Sequence, residues 1–409
     1  MNRVKAVAEQ LQGRTNTIMT KLEETLAKGV ENGNIPHAIV CATNTDGSFT
    51  YSHAVGKAHF PDDKPIDDDA MFALASQTKL LTTIAALHVV EKGLFALDED
   101  VSAKLPELAK QPVLTGFGDD DKPILEDRKG PITLRQLLTH SSGATYGMMH
   151  PRIMKYAEQQ GRPTMGGSTV AERFNDPLTY QPGESWMYSA GIDWAGKLVE
   201  RLTDTTLDEY FKQLFAPLGV ESITFWPDKG PLKDKVLGIA ARGSDGKLTN
   251  NTAPTLNTGS TDCFGGHGAF STMADYLKVL HSILANDGKL LKPETVKTMF
   301  QPQLPSNGKR DLMGFMASPM GQFVIGEWKP NLDLDWGLGG ILLMQDDEGR
   351  RKKGTLSWGG MTNPFWLIDP AADLALTFGT QVLPPGDPGT QEMISAAEYA
   401  VYEMAGVKF

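Results

Sequence analysis

The sequence predicts an α+β fold: an antiparallel β-sheet flanked by terminal helices, with a mainly helical domain inserted. Three observations point to it. Short strand-like runs gather near both ends of the 409-residue chain, the stretch between them is helical and loop-rich, and each end carries a helical pattern. A sheet assembled from both chain ends and covered by the terminal helices buries these apolar faces most economically.

Residues 4–31 place Val4, Val7, Leu11, Ile18, Leu22, Leu26 and Val30 near a helical repeat. Two strands follow, 38–42 and 48–55, joined across Asn44-Thr-Asp-Gly, a hairpin signature. Helical patterns cover 77–92, 133–139, 152–160, 191–203, 207–215, 273–286 and 293–300. Late strands are expected at 322–325, 340–344, 354–358, 365–369 and 374–378, and a closing helix at 390–405. The polar stretches 111–130 and 304–318 read as long loops bordering a site. The expected organisation is a sandwich domain from residues 1–95 and 225–409, a helical domain from 96–224, and an active site at their junction.

Bulk properties exclude several classes. With 39 basic against 50 acidic residues the net charge is −11, which disfavours nucleic acid and anionic membranes as partners. No window approaches the roughly 18 apolar residues of a membrane span, and the N-terminus lacks the apolar core of a secretory signal. Cys41 and Cys263 cannot form a disulfide framework, so a cytoplasmic protein with two buried thiols is expected. The histidines show no metal-ligand spacing, and there is no Gly-x-Ser-x-Gly elbow, phosphate loop or dinucleotide fingerprint; neither metal nor cofactor is expected.

Chemistry enters with Ser-x-x-Lys, which occurs three times: Ser76–Lys79, Ser244–Lys247 and Ser306–Lys309. Ser244 and Ser306 sit among turn-forming Gly, Asp and Asn. Ser76 instead precedes Leu80, Leu81, Ile84, Leu87 and Val90, the apolar stripe of a helix that ends at Gly93. Lys79 then stands one turn beyond Ser76 on the same face, where its amine reaches the hydroxyl. The helix N-terminus and burial both disfavour the charged amine, suiting it to act as a base. The Ser76 backbone N–H, unpaired at that helix end, is free to hold an oxyanion.

Further segments agree in kind and order: Ile132-Thr-Leu-Arg-Gln-Leu-Leu-Thr-His-Ser-Ser-Gly, Pro182-Gly-Glu-Ser-Trp-Met-Tyr-Ser, Ala216-Pro-Leu-Gly and Gly265-Gly-His-Gly-Ala-Phe-Ser-Thr-Met. With Ser76-x-x-Lys79 they resemble the superfamily of serine β-lactamases, penicillin-binding proteins and family VIII esterases. Asp193-Trp-Ala-Gly-Lys-Leu-Val-Glu-Arg, Cys263-Phe-Gly-Gly and Gly337-Leu-Gly-Gly-Ile bring the chain nearest to the fungal acyltransferases of polyketide pathways, the lovastatin-pathway transesterases.

That resemblance implies a catalytic Ser76, Lys79 and Tyr188, and an acceptor contact on Arg173. It implies that Trp358-Gly359-Gly360-Met361 is the strand beside which substrate lies, with Met361 N–H completing the oxyanion hole begun by Ser76. Lys79, Tyr188 or the pair supplies the base; the sequence leaves this open. Two departures bear on substrate: Trp358 stands where the superfamily carries the lysine of Lys-Thr-Gly, and Ala190 where it carries the asparagine of Tyr-x-Asn. Both remove polar handles for a penicillin-like ligand. His140 reads as a structural, hydrogen-bonded histidine.

The expected activity is transfer of an acyl group from a thioester or ester donor, through acyl-Ser76, to a hydroxyl of a bulky acceptor, which the resemblance implies is a secondary metabolite. The alternatives are a carboxylesterase using the same residues and a catalytically silent binding homologue. The partners implied are a small acyl donor and an alcohol, with an acyl-carrier domain as a further source of donor.

Overall fold

In the computed structural model, which describes residues 2–59, 64–253 and 257–408, seven strands form one antiparallel sheet. They are β1 (His37–Thr43), β2 (Thr50–Gly56), β3 (Leu334–Trp336), β4 (Ile341–Leu343), β5 (Leu356–Gly359), β6 (Phe365–Asp369) and β7 (Leu374–Gly379). Their spatial order is β2-β1-β7-β6-β5-β4-β3, so the early hairpin adds to strands from the chain's far end through the β1–β7 pairing, Val40 opposite Phe378. The protein is α+β.

Period-two alternation sends the two faces of the central strands β1, β6 and β7 into different cores. Ala38, Val40, Leu367, Leu376 and Phe378 meet α1 (Asn2–Glu31) and α8 (Pro388–Met404) through Leu22, Leu26, Met393, Ile394 and Val401. The side chains of Val4, Val7 and Leu11 lie outside the described residues. Ile39, Cys41, Trp366 and Ile368 face the other way, into a larger core with α2 (Thr78–Glu91) and α6 (Met273–Ala285). That core continues into α4 (Gly191–Thr203) and α5 (Leu207–Phe215), whereas α3 (Pro151–Gln159) buries Ile153 and Ala157 outside it. Among the described residues no helix is long and apolar enough to cross a membrane.

Four expectations need correction. Residues 322–325 are not a strand: a 3₁₀ turn at Pro319–Phe323 leads into a segment whose backbone is held by Gln391, which accepts from Gly326 N–H at 2.9 Å and donates to Val324 O at 3.4 Å. A side chain thus satisfies what a neighbouring strand would have. The stretch 111–130 contains a hairpin, Val113–Phe117 with Pro123–Glu126, whose turn places Asp121 at φ 65°. The stretch 304–318 contains α7 (Ser306–Ala317), whose polar sequence conceals one fully buried anchor, Leu312. Ser306 therefore also begins a helix, whereas Ser244 lies in the turn between two short strands, Ala240–Arg242 and Leu248–Asn250. Strand β3 carried no turn-bounded apolar run and was not anticipated; its Trp336 is fully buried.

Helix α8 is tied to the sheet by buried charge. Glu398, without solvent exposure, accepts from Arg351 Nε, from Arg351 Nη2 at 2.8 Å and from Arg350 Nη1 at 3.3 Å, while Arg350 Nε donates to Asp347 Oδ2 at 2.7 Å. Removing one member of such a group strands the other charges away from water. Glu398→Gln is accordingly expected to lower the unfolding free energy by about 3 kcal/mol in denaturant titration. A change below about 1 kcal/mol, the ordinary size for a point substitution, contradicts it.

Candidate active site

Ser76 is held out from a buried run. Strand residues Phe72–Ala73 pair with Phe270–Ser271, and a 3₁₀ turn at Ala75–Gln77 then feeds α2. Ala75 carries φ 46°, a left-handed conformation that costs about 1 kcal/mol for a residue with a Cβ. Its neighbours fix it there: Leu74 N–H donates to Ala269 O at 2.9 Å, and Tyr276 O–H donates to Gln77 O at 3.0 Å. Leu74, Ala75, Gln77, Thr78 and Lys79 are all buried, which leaves Ser76 the one partly exposed side chain of the turn.

Lys79 is fully buried, and its Nζ lies 3.3 Å from Ser76 Oγ, 3.0 Å from Tyr146 Oη and 2.7 Å from Gly266 O. Tyr188, in the extended segment ahead of α4, donates to Ser76 Oγ at 2.7 Å and accepts from Trp358 Nε1 at 3.2 Å. Its ring packs against Trp358, His140 and Tyr146 at centroid distances of 5.2, 4.8 and 5.6 Å, with Lys79 Nζ 4.7 Å above it. Ser76, Lys79 and Tyr188 thus meet at one point. His140 stays behind them: its Nδ1 accepts from Ser189 N–H at 3.2 Å, and burial, with Lys79 nearby, holds it well below the usual imidazole range.

The Gly359-Gly360-Met361 segment leaves β5 and passes directly beside the Ser76 turn. Gly360 N–H donates to Pro364 O at 2.9 Å. A Cβ on Gly360 would stand 2.6 Å from Leu74 O and 3.0 Å from Ala75 Cβ, so only glycine permits this approach. Next to Ser76, Trp358, Gly359, Gly360 and Met361 line a cavity of about 290 Å³. Its remaining wall is almost entirely apolar: Met148, Met149, Met165, Phe315, Met320, Phe323, Val324 and Ile325. The polar side chains that reach it are Ser76, Tyr146, Tyr188 and His267, with the indole of Trp358.

Arg173 is placed apart from this cavity wall. It is 4 % exposed, donates to Gly167 O at 2.7 Å and to Ser260 Oγ at 3.3 Å, and lies over the Phe264 ring at 4.0 Å.

Three site residues escaped sequence reasoning. Tyr146 donates to Asp193 Oδ2 at 2.9 Å, and Asp193 Oδ1 accepts from Gly266 N–H at 2.8 Å. Burial holds the Asp193 carboxyl above its usual range against the pull of Lys79, and pushes the Tyr146 phenol well above its own. His267 contacts Asn257 Oδ1 through Nδ1 at 2.9 Å and stacks on Phe264; burial, then Lys79 and Arg173, keep it neutral. Asp193 and His267 lie inside recognised segments and Tyr146 just beyond one, and a carboxylate at the start of an apolar helix was the available signal. Among the described residues no cluster of three or more His, Cys, Asp or Glu could hold a metal ion.

A family model described as Beta-lactamase matches residues 22–400. The chain is 40 % identical over 381 residues to lovastatin esterase of Penicillium rubens, covering 90 % of this chain and 94 % of that protein. It is 38 % identical over 392 residues to monacolin J acid methylbutanoyltransferase of Aspergillus terreus, covering 93 % and 95 %. Among solved structures, a mutant of simvastatin synthase from Aspergillus terreus superposes with a TM-score of 0.87 at 38 % identity, covering 96 % of this chain and 98 % of that one.

The close approach at Gly360 yields a test that needs no substrate. Gly360→Ala must displace either the Ser76 turn or Met361, and should slow labelling of Ser76 by a fluorophosphonate about a hundredfold, the usual effect of losing one oxyanion donor. Labelling at the parent rate would show that the segment takes no part.

Proposed function

The chain belongs to the β-lactamase family and to its acyltransferase and esterase enzymes, and on that premise we propose that it moves an acyl group through an ester on Ser76 to the hydroxyl of a bulky, largely apolar acceptor. The observation that carries this reading is the apolar cavity beside the Ser76, Lys79 and Tyr188 cluster. Ser76 Oγ attacks the donor carbonyl as its proton passes to Lys79 or Tyr188, and the Ser76 and Met361 N–H groups receive the developing oxyanion. Collapse expels the donor's thiolate or alkoxide, which takes up that proton. The acceptor hydroxyl then attacks acyl-Ser76, giving its proton back through the same side chains, and Ser76 leaves as the hydroxyl.

We place the site at the junction of a sheet-bearing body, 1–95 and 225–409, with a helical body, 96–224. Ser76, Lys79 and Trp358 come from the first, Tyr146 and Tyr188 from the second. The substrate class follows from the walls. Trp358 meets Trp336 edge to face with ring centres 5.0 Å apart and offers one N–H rather than a cation, and Ala190 is fully buried. Neither supplies a handle for a β-lactam carboxylate, whereas the methionine and phenylalanine wall suits an aliphatic acyl chain and a greasy alcohol. Arg173 contributes through Gly167, two residues from Met165 of that wall. A small thioester serves as donor, and a carrier-protein domain docking near exposed Met148 and Phe323 is a further source. Both cysteines are buried free thiols, which fits a cytoplasmic enzyme.

A second reading, hydrolysis with water in the acceptor's place, has the 40 % identity to lovastatin esterase in its favour. One experiment separates the readings. Incubation with a short acyl thioester should add one acyl mass to Ser76 in the parent and none in Ser76→Ala. Added apolar secondary alcohols should then collect most of the acyl group as ester. Free acid alone at saturating alcohol selects the esterase, and no adduct in the parent rejects both.

A further inference from the structure

A neutral amine has two N–H bonds and one lone pair, so the acceptors around it decide where the lone pair points. Around Lys79 Nζ the structure places three oxygens: Gly266 O at 2.7 Å, Tyr146 Oη at 3.0 Å and Ser76 Oγ at 3.3 Å. The Gly266 carbonyl can only accept. The Tyr146 hydroxyl has one proton and donates it to Asp193 Oδ2 at 2.9 Å, so towards Lys79 it too can only accept. Asp193 is fully buried, and Gly266 N–H at 2.8 Å fixes its other oxygen. Two of the three directions therefore require an N–H. Only the third, towards Ser76, can take the lone pair.

We infer that Tyr146 and Asp193 are positioning residues that aim the lone pair of neutral Lys79 at Ser76. The inference rests on the acyl-enzyme reading above. It makes the site a one-way series of donors: Trp358 N–H to Tyr188, Tyr188 O–H to Ser76, Ser76 O–H to Lys79, Lys79 N–H to Tyr146, and Tyr146 O–H to Asp193. In acylation the Ser76 O–H bond breaks as the bond from Oγ to the carbonyl carbon forms. The proton becomes the third on Lys79 Nζ, and the leaving group later removes it. The Asp193 carboxylate, one hydrogen bond beyond Tyr146, favours that transient ammonium.

Gly266 makes the arrangement compact, since its carbonyl holds Lys79 and its N–H holds Asp193. A Cβ there would stand 2.2 Å from Asp193 Oδ2 and 2.7 Å from Tyr146 Oη. The titratable groups surrounding the amine are Tyr146, Tyr188, Asp193, His140, His267 and Arg173. Burial keeps both imidazoles neutral, which leaves the Asp193 carboxyl and the Arg173 guanidinium as the groups able to carry charge beside the amine.

The test follows acylation of Ser76 by p-nitrophenyl butyrate, read as the pre-steady-state burst and as intact mass, across the pH range in which each variant stays folded. Tyr146→Phe should leave KM within about twofold and slow acylation about a hundredfold, the scale of a misdirected general base. Asp193→Asn should move the rising limb of the rate profile to lower pH, because the charge that favours the ammonium is gone. A merely structural role moves neither the limb nor the KM-against-kcat balance. Gly266→Ala should reproduce the slowing without deleting any reacting group. Tyr146→Phe acylating within about threefold of the parent, with an unmoved limb, overturns the inference, and it decides the matter alone if Asp193→Asn does not fold. Absence of any Ser76 adduct in the parent instead overturns the acyl-enzyme reading, and the inference with it.

Discussion

A primary amine buried without solvent must find all of its hydrogen bonds inside the protein, and much of the site is arranged around that demand at Lys79. Its partners come from three separate stretches of chain: Ser76 from the turn before α2, Tyr146 from the segment after the His-Ser-Ser-Gly run, and Gly266 from the glycine-rich approach to α6. Bringing them together requires α2 to pack against α4, and the loop carrying Gly265 and Gly266 to lie close on both. Thr82 Oγ1 donates to Gly265 O at 2.7 Å one turn beyond Lys79, extending the same contact along the helix.

The sheet supplies the opposite wall. Strand β5 ends where two glycines let the backbone pass against the Ser76 turn, and strand β6 returns beside it with Trp366 opposite Trp358. Because β5 is internal to the sheet, its position follows from the whole stack of strands, including the hairpin from the far end of the sequence. The central strands β1, β6 and β7, apolar on both faces, let the sheet carry two cores at once. One core seats the terminal helices and the other seats α2, which carries Lys79.

Much of this was legible beforehand. The hairpin, the late strands at 340–379 and most helices follow from periodicity and turn residues, and Ser76, Lys79 and Tyr188 from ordered motifs. The reasoning that separated the three Ser-x-x-Lys copies was only half right, since Ser306 also opens a helix. What distinguishes the copies is burial of the lysine: Lys309 reaches out to Asp333 at 2.7 Å, while Lys79 is enclosed. Burial depends on contacts distant in sequence, as does the pairing of Tyr146 with Asp193, and local pattern does not encode it. The 322–325 segment failed for a related reason. Its composition suits a strand, but no neighbour offers an edge, and Gln391 from α8 takes the backbone instead.

The cavity wall holds five methionines, Met148, Met149, Met165, Met320 and Met361. Thioether side chains turn about three bonds with little rotameric preference and fill irregular space at low cost. A wall of this material has no fixed imprint of one guest. On the proposed reading it would re-form around acyl tails of different length or branching, and discrimination would be concentrated at the reacting carbonyl, where glycine backbone and buried hydrogen bonds allow almost no give. Such a division sets a compliant wall of thioethers against a rigid corner of backbone and hydrogen bonds within one cavity.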